Sequence, residues 1–221
     1  MQFSTGPIQY STKKDIVIEE IRELILTGEL GPGDRLLQDE LAEQLNISQT
    51  PIREALRVLE AEGVLEHEPH KGVRVAEVSA SEISEIYMIR AELESLAIRE
   101  AVKNVTPDDI IYLKSLLETM NNLIMLKEYR ETSVPDYQFH MYIYKLAKMP
   151  SLFQMIRSLW SKIPSDIRQV FPNSAESSAQ EHTAILDALT AKDVKLSEES
   201  LRKHMDRVLS DLLFHLEAPN R

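Results

Sequence analysis

The hydrophobic rhythm of the chain changes once, near residue 78, and that change bounds what it can fold into. Before it, three short stretches with helical spacing lead into a segment that reads as two strands. After it, apolar positions recur at three and four residues to the C-terminus, and nothing reads as a strand. The expected fold is mainly α: an N-terminal unit of three helices and a hairpin over 12–78, then an antiparallel bundle of six helices over 79–218. At 221 residues the chain is long enough for each part to bury its own core. With 43% hydrophobic and 28% charged residues, disorder is expected only at the ends, residues 1–11 among them.

Several classes of function fall away at once. The absence of cysteine excludes a disulfide scaffold and cysteine-ligated zinc. No run approaches the eighteen or so apolar residues of a membrane span. The opening MQFSTGPIQYSTKKD lacks the apolar stretch of a signal peptide, so a cytoplasmic protein is expected. The net charge of -11 argues at first sight against nucleic acid, and residues 1–78 carry eight Lys/Arg against fifteen Asp/Glu, about -7. Phosphate contact depends on the local field, however, which is screened within about 10 Å at moderate salt. A case for DNA must rest on local pattern.

That pattern is present. Val17, Ile21 and Leu24, with Ile18 and Ile25 beside them, define an amphipathic helix over 13–27, stopped by Gly28, Gly31, Pro32 and Gly33. A short second helix over 38–45 carries Leu41 and Leu45 on one face, and Asn46 suits a left-handed end. Ser48 is the expected cap of a third helix with Pro51 in its first turn. Ile52, Ala55, Leu56 and Leu59 fix the buried face of that helix. At about 100° per residue, Thr50, Arg53 and Arg57 then share an arc of about 60° on the opposite side. Such a face suits the major groove, although two exposed arginines can also be no more than a solvated pair. Gly63 ends the helix, and Val64–Val75 reads as two short strands around a tight tip. Helix, helix, turn, helix, hairpin is the winged helix-turn-helix order.

The run Gly31-Pro32-Gly33-Asp34-Arg35-Leu36, then Leu41-Ala42-Glu43, Ser48 through Leu56, Leu59 through Gly63, and Gly72-Val73-Arg74-Val75 closely resembles the DNA-binding domain of the GntR family of repressors. The resemblance implies a symmetric dimer on double-stranded DNA, at a short palindromic operator, with the third helix in the major groove and the wing tip near the minor groove. It implies DNA contacts from Arg35, Ser48, Gln49, Thr50, Arg53 and Arg57, and from His70, Lys71 and Gly72 at the wing. The chain departs from the pattern at Gln49, where members commonly carry arginine, and at Asp39, where some carry a basic residue. Gln can still read adenine bidentately.

Ser79 and Glu82 form a capping-box pattern that opens a helix over 80–103, and Thr106-Pro107-Asp108-Asp109 opens a second over 107–127. Further helices are expected over 134–147, 151–171 with a kink at Pro164, 174–191 and 197–217. Asp136 and His140, four apart, project from one side of a helix and can share one ion. His182 lies on the stripe of Ile185, Leu186 and Leu189, and His204 lies on that of Leu201 and Val208. A single histidine on an apolar face is more often a hydrogen-bonded core residue. A carboxylate with three imidazoles, however, suits zinc, nickel, manganese or iron. Arg90 shares a stripe with Ile83, Ile86, Leu93 and Ala97, which aims a guanidinium at the bundle interior, where an unpaired charge is costly. Either Glu94 at i+4 pairs with it, or it binds an anionic effector, bidentately if that is a carboxylate.

Asp136 through His140, Glu181-His182 and His204, with Arg90 through Glu94 and Asp193, resemble the motifs of the FCD effector domain, in its shorter VanR-like branch. The resemblance implies that Asp136, His140, His182 and His204 hold one divalent transition metal. The expected function is a DNA-binding transcriptional regulator, a repressor in the family's pattern, whose operator affinity is controlled by a small organic acid bound at that metal beside Arg90. A metal-dependent hydrolase is the rival, yet no nucleophile motif, P-loop or HExxH pattern is present and no general base is evident. A structural dimeric DNA-binding protein, with the metal only holding helices together, is the other.

Overall fold

The computed structural model describes residues 12–68, 72–163 and 172–217. The expected disorder of 1–11, His70 and Lys71 at the wing tip and the kink at Pro164 lie outside them.

Helix α1 (Lys13–Thr27) opens with a reciprocal capping box between Thr12 and Asp15 and ends at Gly28, whose φ of 79° is left-handed. Its buried face is Val17, Ile18, Ile21 and Ile25. Helices α2 (Gln38–Gln44) and α3 (Gln49–Ala61) follow, with the turn between them passing through Asn46 at φ 50°. Ile52, Ala55, Leu56 and Leu59 are the buried residues of α3, as their spacing predicts. Ser48 occupies the N-cap position of α3, but its side chain makes no capping hydrogen bond. That corrects the expected role, and the exposed hydroxyl stays free of the helix end.

The hairpin of β2 (Leu65–Glu68) and β3 (Gly72–Val75) has a third strand that the sequence pattern does not reveal, β1 (Arg35–Leu36). All pairing is antiparallel in the order β1-β3-β2, with Arg35 opposite Arg74 and Leu65 opposite Val75. Two residues are too few to show alternation. What brings β1 to β3 is the turn through Gly33, whose N–H donates to the Val75 carbonyl at 2.9 Å.

The remaining described helices are α4 (Ala80–Asn104), α5 (Pro107–Met125), α6 (Ser133–Leu146), α7 (Pro150–Trp160), α8 (Pro172–Thr190) and α9 (Val194–Glu217), with a 3-10 turn at Arg130–Thr132. Capping boxes at Ser79–Glu82 and Thr106–Asp109 start α4 and α5 as expected. The helix expected over 151–171 instead ends at Trp160. Proline disfavours helical geometry in the residue before it, so Ile163 cannot readily carry a helix on to Pro164. Helix α4 packs on α9, α6 and α7, while α5 packs on α8 and α6.

Two hydrophobic clusters result. One gathers Val17, Ile21, Ile52, Leu56, Leu59, Leu65 and Val75; the other gathers Ile83, Ile98, Leu113, Phe139, Ile143, Trp160, Ile185 and Leu189. Each such fully buried side chain contributes about 1.5–3 kcal/mol. The units meet along α1. Leu26 belongs to the second cluster, α1 packs on α6, and the Arg157 guanidinium of α7 pairs with Glu19 of α1. Glu62, just past α3, accepts from Arg22 at 2.5 Å and from the Ser158 hydroxyl at 3.4 Å.

Candidate metal centre and nucleic-acid interface

Helix α6 presents Asp136 and His140 on one side because they are one turn apart, while α8 brings His182 and α9 brings His204. The three imidazoles are buried, and one ligand atom from each lies within 4.8 Å of the others. His140 Nε2 is 3.0 Å from His182 Nε2. Asp136 Oδ1 lies 3.4 Å from His182 Nε2 and 3.9 Å from His140 Nε2. All four residues named from the sequence are thus brought to one place.

Their surroundings hold the rings in order. The Nδ1 of His204 contacts Glu181 Oε2 at 2.8 Å, and the same carboxylate accepts from Arg207 Nε at 2.8 Å. Burial works against the charge of Glu181, but the hydrogen bonds of His204 and Arg207 outweigh it and hold the carboxyl below its ordinary range. His140 Nδ1 lies 3.2 Å from the Tyr144 hydroxyl. Burial, reinforced by the electrostatic influence of His204 and the positive charge of Arg207, pushes His182 well below the ordinary histidine value. His182 is therefore a neutral ring with a lone pair to offer, and its Nδ1 is buried without a hydrogen-bond partner. Three imidazoles and a carboxylate, two of the rings steered by a neighbouring oxygen, are a donor set that fits a divalent transition metal.

Both alternatives for Arg90 leave a trace. Its Nε donates to Glu94 Oε1 at 2.6 Å, so the i+4 ion pair is real. Glu94 also accepts from Trp160 Nε1 at 2.8 Å and from the Tyr144 hydroxyl. Burial opposes the charge of Arg90, but Glu94 and the neighbouring tyrosines leave its pKa above the ordinary value. Burial and the charge of Glu94 raise Tyr144 well above its own. The Arg90 guanidinium lies over the ring of Tyr87, 4.7 Å from its centre, and over that of Trp160, 4.2 Å from its centre. It lines a cavity of about 80 Å³ together with Asp136, His140, His182 and His204. Tyr144, Trp160 and Arg207 escape a reading of the sequence because their roles arise only from packing between helices.

On the DNA-reading side, Gln49, Thr50, Arg53 and Arg57 are exposed on α3, and neither arginine has an ion-pair partner among the described residues. Arg35 lies on β1 and pairs with Glu68 at 3.1 Å. Gly72 starts β3 at φ 96°, a conformation that favours glycine. Gln49 Nε2 donates to Asp39 Oδ1 at 2.6 Å, which joins the two positions at which the chain departs from the family pattern.

No helix of the described residues is long and apolar enough to cross a membrane. Residues 13–75 match the profile of the bacterial regulatory proteins of the gntR family, and residues 85–207 match the FCD domain. The HTH-type transcriptional regulator McbR of Escherichia coli is 31% identical over 212 residues, which cover 94% of this chain and 96% of that protein. The probable D-xylose utilization operon transcriptional repressor of Paenarthrobacter nicotinovorans is 30% identical over 206 residues, covering 88% and 84%. The solved structure of E. coli McbR superposes with a TM-score of 0.85 at 30% identity, over 92% of this chain and 98% of that one. Together with the winged helix-turn-helix and the histidine-lined helical bundle, these matches settle the class: the chain belongs to the GntR family of bacterial transcriptional regulators and carries an FCD domain.

Proposed function

We propose that this regulator binds a short palindromic operator as a homodimer in the cytoplasm, in the manner of a repressor, and that a small organic acid tunes its affinity from a metal site in the bundle. The observation that carries this reading is the convergence of His140, His182, His204 and Asp136 on one cavity with the Arg90 guanidinium in its wall. Asp136, His140, His182 and His204 would hold one divalent ion, whose open coordination positions would accept a carboxylate oxygen. Arg90 supplies hydrogen-bond donors and positive charge beside that position, and Glu94 keeps Arg90 charged and oriented. The cavity, about 80 Å³, suits an acid of few heavy atoms.

Transmission to DNA has two routes. One is α4, which continues directly from the DNA-reading unit into the bundle. The other is α6, whose inner side carries Asp136 and His140 and whose Ser133, Val134, Tyr137 and Gln138 share a cavity of about 200 Å³ with Glu19, Arg22 and Leu26 of α1. A ligand that favours one packing of α6 thereby favours one seat for α1, with a coupling of about 1–3 kcal/mol typical of such systems.

Elemental analysis of purified protein, followed by a thermal-shift screen of small carboxylic acids, tests the proposal. About one divalent ion per chain and a rise in Tm with at least one acid, both lost in His182→Ala, are expected. A metal-free protein that no acid stabilises would remove the sensing half of the proposal and leave a structural DNA-binding dimer.

A further inference from the structure

We infer that Asp39 fixes the base preference of the reading helix by holding the Gln49 amide in one orientation, and that the base selected beneath Gln49 is adenine. The inference rests on the proposal that α3 reads the operator. A carboxylate can only accept hydrogen bonds, so the end of the Gln49 amide that faces Asp39 at 2.6 Å must be the nitrogen. One amide hydrogen is thereby consumed. The carbonyl oxygen and the second hydrogen remain, an adjacent acceptor and donor on the exposed first turn of α3. That pair matches the N6 donor and N7 acceptor of adenine. Guanine shows two acceptors, O6 and N7, on the same edge and would face both the amide oxygen and the nearby Asp39 charge.

The charge of Asp39 has a second consequence. Helix α3 has no acidic residue in its own first turn and no side-chain cap from Ser48, so Asp39, reaching over from α2, is a negative charge next to the positive end of α3. A role confined to helix stability would leave base preference untouched. The two roles are therefore separable by a single kind of measurement.

Selection of bound sequences from a pool of random duplexes, with the full-length chain, supplies it. The wild type is expected to enrich a two-fold symmetric site with adenine over guanine by about tenfold at one position in each half. Asp39→Ala should flatten that preference several-fold while raising affinity for all duplexes, because a negative charge near phosphate is gone. Asp39→Asn, which keeps an oxygen that can accept from Gln49, should restore the preference for adenine. Gln49→Arg should move it to guanine. Thermal unfolding of each variant confirms that it is folded. Enrichment of one sequence with unchanged base frequencies in Asp39→Ala, or a wild-type preference for guanine at that position, overturns the inference and leaves the DNA reading intact. Failure of the wild type to enrich any sequence overturns the DNA reading, and the inference with it.

Discussion

Glu94 is fully buried and accepts from three neighbours at once: Arg90 and Trp160 on one oxygen, Tyr144 on the other. Removing one member of a buried pair leaves the other charge uncompensated, which costs about 3–5 kcal/mol. Glu94→Gln should lower stability by about that amount in urea unfolding, whereas Glu94→Leu combined with Arg90→Met should recover much of the loss, because an apolar pair leaves no stranded charge. Stability of the single variant equal to wild type would show that the ion pair contributes nothing. On the DNA side, Arg53 is exposed and free of ion-pair partners among the described residues. Arg53→Ala should weaken binding to the selected operator by about 1–3 kcal/mol in fluorescence anisotropy titrations. Wild-type affinity should also fall steeply with salt despite the net charge of -11, since counterions are released locally. A flat salt response would contradict phosphate contact.

At the scale of elements, much was legible because helix faces are written locally. Ile52, Ala55, Leu56 and Leu59 lie inside, Arg53 and Arg57 outside, and Asp136 and His140 share a side, all from spacing within one helix. That His182 and His204 meet is implied only by the family resemblance, since nothing in local periodicity says that α8 and α9 place them together. Strand β1 and the break of the helix at Trp160 were missed for opposite reasons: the first is too short to have a period, the second keeps its helical pattern past the point where geometry ends it. The α1 seam could not be read at all, because Glu19 and Arg157 are far apart in the chain. It is nevertheless specific. Arg157 pairs with Glu19, donates to the Tyr137 hydroxyl at 3.4 Å and is partly withdrawn from water. Arg157→Ala should speed amide hydrogen exchange in α1 and at the outer side of α6, with metal content unchanged. Unchanged exchange in α1 would mean that the hydrophobic contact of Leu26 alone seats the helix.

For the molecule as a whole, two hydrophobic clusters joined at one helix imply unfolding that need not be a single step. Chelation should act on only one of them. Removal of the proposed ion by EDTA is expected to lower the transition of the bundle by several degrees, while amides of Ile21, Ile52 and Leu59 keep their protection; a uniform loss of protection would mean that the units unfold together. The contacts of Trp160 give the chain an optical property. It is the single tryptophan of 221 residues, with its ring 5.2 Å from that of His140 and the Arg90 guanidinium 4.2 Å above it. Emission excited at wavelengths that indole absorbs and phenol does not therefore originates beside the proposed ion site. A closed-shell ion such as zinc would leave that emission bright, and an open-shell ion such as nickel would quench it, so the two loaded forms would be told apart by their fluorescence alone.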